Sequence, residues 1–429
     1  MNLHELADAL HGQLLPCSDR DGNRHVTRIE TRLECLRGEE VYLVLTRDPL
    51  RARREIVVAR LQGAVAVISP FTPHKNNIAC ILVDAVPSMD ALSTVAKRWR
   101  TGISAQVIGV TGSVGKTTTK ELLYSVLSRT AQTARSPGTS NALSVTAENV
   151  LSVGETDRYA VIEAGIAHTG EMEQISAILQ PDIGIVTNIG AAHLEGLDTV
   201  ENVLAEKLKL FDHAAPGFTA FLNGDDPLLR TITDIRGVKP RFFHASDWRG
   251  ELPFAGEHFR TDVAAAAAVA RFLGVPETEI EAAVKDFTPP EQRCQFITVG
   301  DCTVINDCFN ANPASMRSAL ELLSTCGGRR IAVLGDMLEL GEDATEYHQQ
   351  IGAFVAEKKI DALVCIGELA VYIAHGALDE GFPKENCACY SSVDAFLAKE
   401  HPFSADTTVL LKASHSMRFH RILQRLQTV

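Results

Sequence analysis

The sequence has no closely paired cysteines of the kind that a zinc knuckle or a thioredoxin motif requires. Its 10 cysteines are scattered singly, as at Cys17, Cys35, Cys80, Cys294 and Cys365, and in the nearest pair, Cys387 and Cys389, a single residue intervenes. That distribution predicts reduced, mostly buried thiols rather than a metal or disulfide framework. Apolar runs approaching about 18 residues are also missing, so no membrane insertion is expected. The start, Met1-Asn2-Leu3-His4-Glu5, lacks a basic segment followed by an apolar stretch, and the expected location is the cytoplasm. Nor is positive charge in excess: 41 Lys and Arg face 54 Asp and Glu, a net charge of −13, which excludes a general nucleic-acid binder. A local anion site survives that exclusion, because a small phosphorylated substrate needs only a few donors in one cleft.

What remains is the balance of a soluble globular protein, with 45% apolar and 22% charged residues. A chain of 429 residues exceeds one ordinary core and predicts about three domains. Residues 1–100 alternate short apolar runs, Val41 to Leu45 and Ala64 to Ile68, with a helix over Arg51 to Leu61 that Gly63 stops. Residues 101–294 open on the apolar strand Gln106 to Val110. Further strands are predicted at Tyr159 to Glu163 and Asp182 to Asn188, and an alanine-rich helix from Asp262 to about Leu273, which together imply a mainly parallel sheet under helices. Pro289-Pro290 reads as a linker. Residues 295–429 alternate again, with strands at Arg330 to Leu334, Ala362 to Ile366 and Thr408 to Leu411, as in a doubly wound domain.

The sharpest local signal is Thr111-Gly112-Ser113-Val114-Gly115-Lys116-Thr117, lying between a predicted strand and a predicted helix. In that setting backbone N–H groups and the helix dipole gather around phosphate oxygens. Gly112 and Gly115 admit close approach of the backbone, Lys116 supplies a mobile positive charge, and the Thr117 hydroxyl suits a Mg²⁺ shell. The general phosphate-loop spacing would place glycine where this chain has Val110. Taken alone, such a loop serves a kinase, a GTPase or a ligase equally well.

The longer string Gly109 to Thr119, with Thr111-Gly112 in place of the usual first glycine, resembles the phosphate loop of the Mur ligases of peptidoglycan synthesis. Further strings agree in order: Val161-Ile162-Glu163-Ala164-Gly165, Thr187-Asn188-Ile189-Gly190 with His193, Asp307-Cys308-Phe309-Asn310-Ala311-Asn312-Pro313, and Ala332 to Gly341 with His348. The last two are most similar to the branch that adds D-alanyl-D-alanine to UDP-N-acetylmuramoyl-tripeptide. The resemblance covers roughly residues 105 to 425 and is weaker before that. It implies an α/β fold of three domains: an acceptor-substrate domain, a central P-loop ATPase-like parallel sheet, and a C-terminal Rossmann-like domain. It also implies a usually monomeric, ATP-dependent amide-bond ligase, in which an acceptor carboxylate takes the γ-phosphate of ATP as an acyl phosphate that an amine then attacks.

The resemblance assigns roles residue by residue. Thr111, Gly112, Ser113, Gly115, Lys116, Thr117 and Thr118 would hold the ATP phosphates, and Asp307 and Asn310, with Asn312, would meet ATP from the third domain. Thr117, Glu163, His193 and a carbamylated Lys207 would bind Mg²⁺, and Arg293 would stabilise charge on the transferring phosphate. Read without the family, Glu163 also suits an N-cap, Lys207 an exposed helix lysine, and the Asn-Ala-Asn-Pro string ordinary turn chemistry.

Departures fall at substrate positions. Glu30-Thr31-Arg32 replaces the family's Asp-Ser-Arg, His258 to Asp262 replaces a His-Asn-x-x-Asn string, Lys209 stands where a glutamate is usual, and Lys412-Ala413-Ser414-His415 replaces Lys-Gly-Ser-Arg. Two enzymatic readings therefore stand side by side, the D-alanyl-D-alanine-adding ligase and a paralogue joining a different acid and amine. A non-catalytic subunit retaining the fold is disfavoured by the intact cluster of Lys116, Thr117, Glu163, His193 and Lys207.

Overall fold

The structure is a computed structural model that describes residues 1–18, 20–73, 77–84, 89–252, 254–399 and 406–427. Its strands fall into three sheets that follow one another along the chain. The first contains β1 (Gln13–Leu15), β2 (Ile29–Glu30), β3 (Val41–Leu43), β4 (Ala66–Ser69) and β5 (Ala79–Leu82), in the order β1-β5-β4-β3-β2. Only β1 runs antiparallel to its neighbour. The helix Pro49–Leu61 covers this sheet and starts where the Asp48 carboxylate accepts from the N–H of Leu50.

The second sheet is wholly parallel: β6 (Gln106–Thr111), β7 (Thr133–Arg135), β8 (Tyr159–Glu163), β9 (Ile183–Val186), β10 (Thr219–Asn223) and β11 (Arg241–Phe243), in the order β11-β10-β9-β6-β8-β7. Tyr159 to Glu163 forms a strand over the predicted residues because all five are buried, as a strand covered on both faces must be. β9 is shorter than predicted. Just before it, Asp182 bonds through its backbone to Val107 and Thr219, and its carboxylate also accepts from Arg100 Nη2 at 2.6 Å and from the Val107 N–H at 2.8 Å. The chain leaves β6 toward β7 and β8, then crosses back to β9, so neighbouring β6 and β9 send their connections in opposite directions. A crevice opens at such a reversal, outside the carboxyl ends of the strands.

The third sheet comprises β12 (Gln295–Val299), β13 (Cys302–Asn306), β14 (Arg329–Gly335), β15 (Ala362–Ile366), β16 (Cys387–Tyr390) and β17 (Thr407–Lys412). Its order is β12-β13-β17-β14-β15-β16, parallel except for the hairpin β12-β13. Separate apolar clusters fill the two faces of this sheet, and one cluster runs without a break from the first sheet onto one face of the second. Among the described residues no helix is long and apolar enough to cross a membrane. The expectation of mostly buried cysteines needs correction: only Cys80, Cys294, Cys308 and Cys365 are buried, and Cys17 and Cys389 are exposed. Burial is decided by which face of each strand meets a helix, and single scattered cysteines carry no periodicity that reports it.

Candidate active site

The phosphate loop leaves β6 at the crevice and turns into the helix Lys116–Ser128. It is held from the neighbouring strand end, because Asn188 Oδ1 accepts from the N–H groups of Ser113 at 3.1 Å and Val114 at 2.8 Å. Gly112 and Gly115 have φ of +149° and +84°. A Cβ on Gly112 would overlap the Thr187 hydroxyl, and one on Gly115 the Asp262 carboxylate, so conformation and space both demand glycine. The first N–H groups of the helix have no intrahelical acceptor and face the crevice as donors. Lys116 Nζ donates to the Gly112 carbonyl at 2.8 Å and sits beside the start of its own helix. Burial lowers its pKa, and the nearby Glu163 carboxylate acts against that shift.

Glu163 ends β8. Its Oε1 accepts from Asn141 Nδ2 at 2.6 Å, and Lys120 Nζ lies 3.8 Å from Oε2. Oε2 is buried and has no hydrogen bond. A buried carboxylate oxygen left this way is costly unless a cation satisfies it. Among the described residues no three metal-ligating side chains gather together. That donor set suits Mg²⁺, which takes one or two protein oxygens and completes its shell with water and phosphate. Glu163 Oε2 and the Thr117 hydroxyl, both on the same cavity wall, fit that requirement.

The cavity has a volume of about 330 Å³ and is shared between the second and third sheets. From the third sheet come Asp307 and Asn310, beyond the end of β13. Asp307 accepts through Oδ1 from the Cys294 N–H at 3.1 Å and through Oδ2 from Lys412 Nζ at 2.5 Å. Lys412, at the end of β17, also donates to the Asn310 carbonyl at 3.0 Å, which fixes the loop between them. Asn312 caps the helix Pro313–Ser324, the turn role that its string suggested. Arg293 reaches across from the segment joining the two units. Its Nη2 lies 3.4 Å from Thr117 Oγ1, and its guanidinium sits 4.1 Å over the Phe309 ring.

Two family models match this chain: the Mur ligase middle domain over residues 110–247, and the Mur ligase glutamate ligase domain over residues 292–415. The UDP-N-acetylmuramoyl-tripeptide–D-alanyl-D-alanine ligase of Bacillus subtilis is 30% identical over 400 residues, covering 85% of each protein. The chain belongs to the Mur ligase family. The enzyme of the same name from Mycobacterium tuberculosis strain H37Rv is 32% identical over 371 residues, 76% of this chain and 73% of its own length. A crystal structure of MurF from Acinetobacter baumannii superposes with a TM-score of 0.79 at 25% identity, covering all of this chain and 99% of that one.

Within this Mur ligase, Lys116, Thr117, Glu163, His193, Arg293, Asp307 and Asn310 line one cavity, and Lys207 does not. Lys207 nonetheless is only 1% exposed, which removes the reading of a solvated helix lysine. Burial, and then the charge of Lys116, hold its pKa well below the ordinary lysine value. The neighbouring Lys209 pairs with Glu206 at 2.7 Å, so the replacement of the usual glutamate is absorbed within the same helix turn. His193 opens the short helix Leu194–Leu197 in a left-handed conformation, φ +58°, and its Nδ1 lies 2.6 Å from Glu339 Oε2 on the third unit. A metal role would therefore fall to Nε2.

Several residues at this site were given no role of their own from sequence. Lys120 is fully buried, donates to the Ser136 and Gly138 carbonyls, and sets the wall behind Glu163. Its signal was present: a second lysine lies one helical turn after Lys116 on the same face of the helix. Asp262 sits under Gly115, accepts from the Thr119 hydroxyl at 3.2 Å, and has its pKa pushed up to about 8 by burial. Glu339 and Lys412 act on partners 146 and 105 residues away, and no local pattern reports such pairings.

Proposed function

We propose that this Mur ligase couples ATP cleavage to formation of an amide bond between UDP-N-acetylmuramoyl-tripeptide and D-alanyl-D-alanine. The observation that carries the reading is the buried Glu163 Oε2, which accepts no hydrogen bond and has the Lys120 ammonium only at 3.8 Å, on the same wall as Lys116 and Thr117, opposite Asp307 and Asn310. The helix start at Lys116 and the Lys116 ammonium bind the β- and γ-phosphates, and Arg293 faces the charge that develops on the group in transfer. Asp307, held by Lys412, and Asn310 receive ATP from the third unit. The acceptor carboxylate attacks the γ-phosphorus and ADP leaves. The amine of the dipeptide then attacks the acyl carbon, forming the amide and releasing phosphate. Thr117 and Glu163 would hold one Mg²⁺, and His193 Nε2 with a carbamate on Lys207 would hold a second, the two supplying positive charge against the phosphates during transfer. Burial lowers the Lys207 pKa, which favours the unprotonated amine that adds carbon dioxide and loses a proton to become that carbamate.

In this reading the units 1–100, 101–294 and 295–429 are an acceptor-substrate domain, an ATP-binding domain and a closing domain, and the protein works as a cytoplasmic monomer. One observation favours a second reading, a paralogue with another acid and amine. The Glu30 carboxylate is spent on the N–H groups of Thr31 and Arg32 and on Arg32 Nε, which occupies the string that would meet the UDP end of the acceptor. An ADP-release assay with both named substrates, checked by product mass, separates the two. Turnover of another acid and amine with no product from the named pair removes the first reading.

A further inference from the structure

The edge of the third sheet brings three of the ten cysteines together. β15 and β16 pair in parallel with Cys365 opposite Cys389, and Cys387 lies two residues before Cys389 on the same face of β16. Cys365 is 1% exposed and packs among Ala370, Ile373 and Ala374 of the covering helix. Cys389 is exposed, and β16 is the last strand of the sheet. A buried thiol thus stands beside an accessible one, outside the nucleotide cavity.

We propose that Cys389 and Cys365 are a peroxide-sensitive thiol pair that closes to a reversible disulfide across β15 and β16. Neighbouring strands lie about 4.8 Å apart, inside the ~4.4–6.8 Å range of Cα separations that a disulfide spans. Residues two apart on one strand are about 6.6 Å apart with parallel side chains, at the limit of that range, so Cys387 is a poor closing partner for Cys389. Cys387 has a different part. The thiols of Cys365 and then Cys387, beside it, draw the Cys389 pKa below the ordinary thiol value. An exposed thiol of lowered pKa beside a resolving thiol is the arrangement that oxidises selectively.

The steps balance with hydrogen peroxide as oxidant. The Cys389 thiolate attacks one peroxide oxygen, the O–O bond breaks, and sulfenic acid and hydroxide form. The Cys365 sulfur attacks the sulfenic sulfur, the S–O bond breaks, the S–S bond forms, and the hydroxyl leaves as water with the thiol proton. Two thiols lose two electrons in total, peroxide becomes two waters, and an external dithiol reverses the change.

The test uses the full chain treated with hydrogen peroxide, blocked with N-ethylmaleimide in denaturant, and mapped by peptide mass. The expected result is a Cys365–Cys389 cross-link, minus two hydrogens, removed by dithiothreitol. Cys389 should alkylate about tenfold faster than Cys17, the other exposed cysteine. Cys365→Ala should leave a Cys389 sulfenic acid that dimedone labels, and Cys387→Ser should still cross-link but more slowly. Oxidation of Cys17 at least as fast as Cys389, or a Cys389 cross-link that survives Cys365→Ala, would overturn the proposal.

Discussion

Lys412 and Asp307 form a buried ion pair at the ends of adjacent strands, with side chains 3% and 10% exposed. Removing one member of such a pair strands the other in low dielectric, and that penalty exceeds what the pair contributes on balance. Lys412→Met should therefore destabilise the third unit by about 3 kcal/mol in urea unfolding, and adding Asp307→Asn should recover a good part of it. Equal loss in both variants would mean that the lysine acts through packing alone. His258 tests the opposite case. Burial lowers its pKa to about 4 from an ordinary 6.5, so the fold holds it neutral while the unfolded chain protonates it. Its contribution to stability is present above pH 6.5 and is lost as pH falls toward about 4. Thermal unfolding across that window should show a smaller acid-side drop in His258→Gln than in the parent; parallel curves would place the acid sensitivity elsewhere.

Elements were more legible than their contacts. Tyr159 to Glu163 and Ala362 to Ile366 formed strands as read, because a parallel strand covered on both faces announces itself as an unbroken apolar run. The phosphate loop was legible for a related reason, since glycine, lysine and hydroxyl at fixed spacing satisfy one backbone geometry. Helix pairing was not legible. Ala344–Glu357 and Ala370–Asp379 pack so closely that a Cβ on Gly352 would overlap the Ile373 carbonyl, and one on Gly376 the Gln349 carbonyl. Neither glycine has a positive φ, so nothing local in the sequence marks them as contact points. Gly352→Ala should cost about 3 kcal/mol, the upper end for overpacking, although alanine favours an isolated helix. A raised urea midpoint would show that the two helices separate without penalty.

At the scale of the whole molecule, one cavity depends on two units and on the side chains that join them. Arg293 joins Thr117 to the face of Phe309, and Glu339 joins His193 to the third unit. The resemblance placed Arg293 at the junction, but the partners in these links were not legible in sequence because each link spans more than 140 residues or passes through a ring contact rather than a motif. If nucleotide binds both walls, ATP should slow amide hydrogen exchange in residues 111–118 and 307–312 together, since a ligand shared by two bodies stabilises both. Arg293→Ala removes the side chain that spans them while leaving the phosphate loop intact. In that variant ATP should still protect residues 111–118 but protect residues 307–312 markedly less, and turnover should fall more than ATP affinity, because the guanidinium faces charge that develops during transfer. Full protection of both segments in Arg293→Ala would show that ATP itself, and not the arginine, closes the two units on each other.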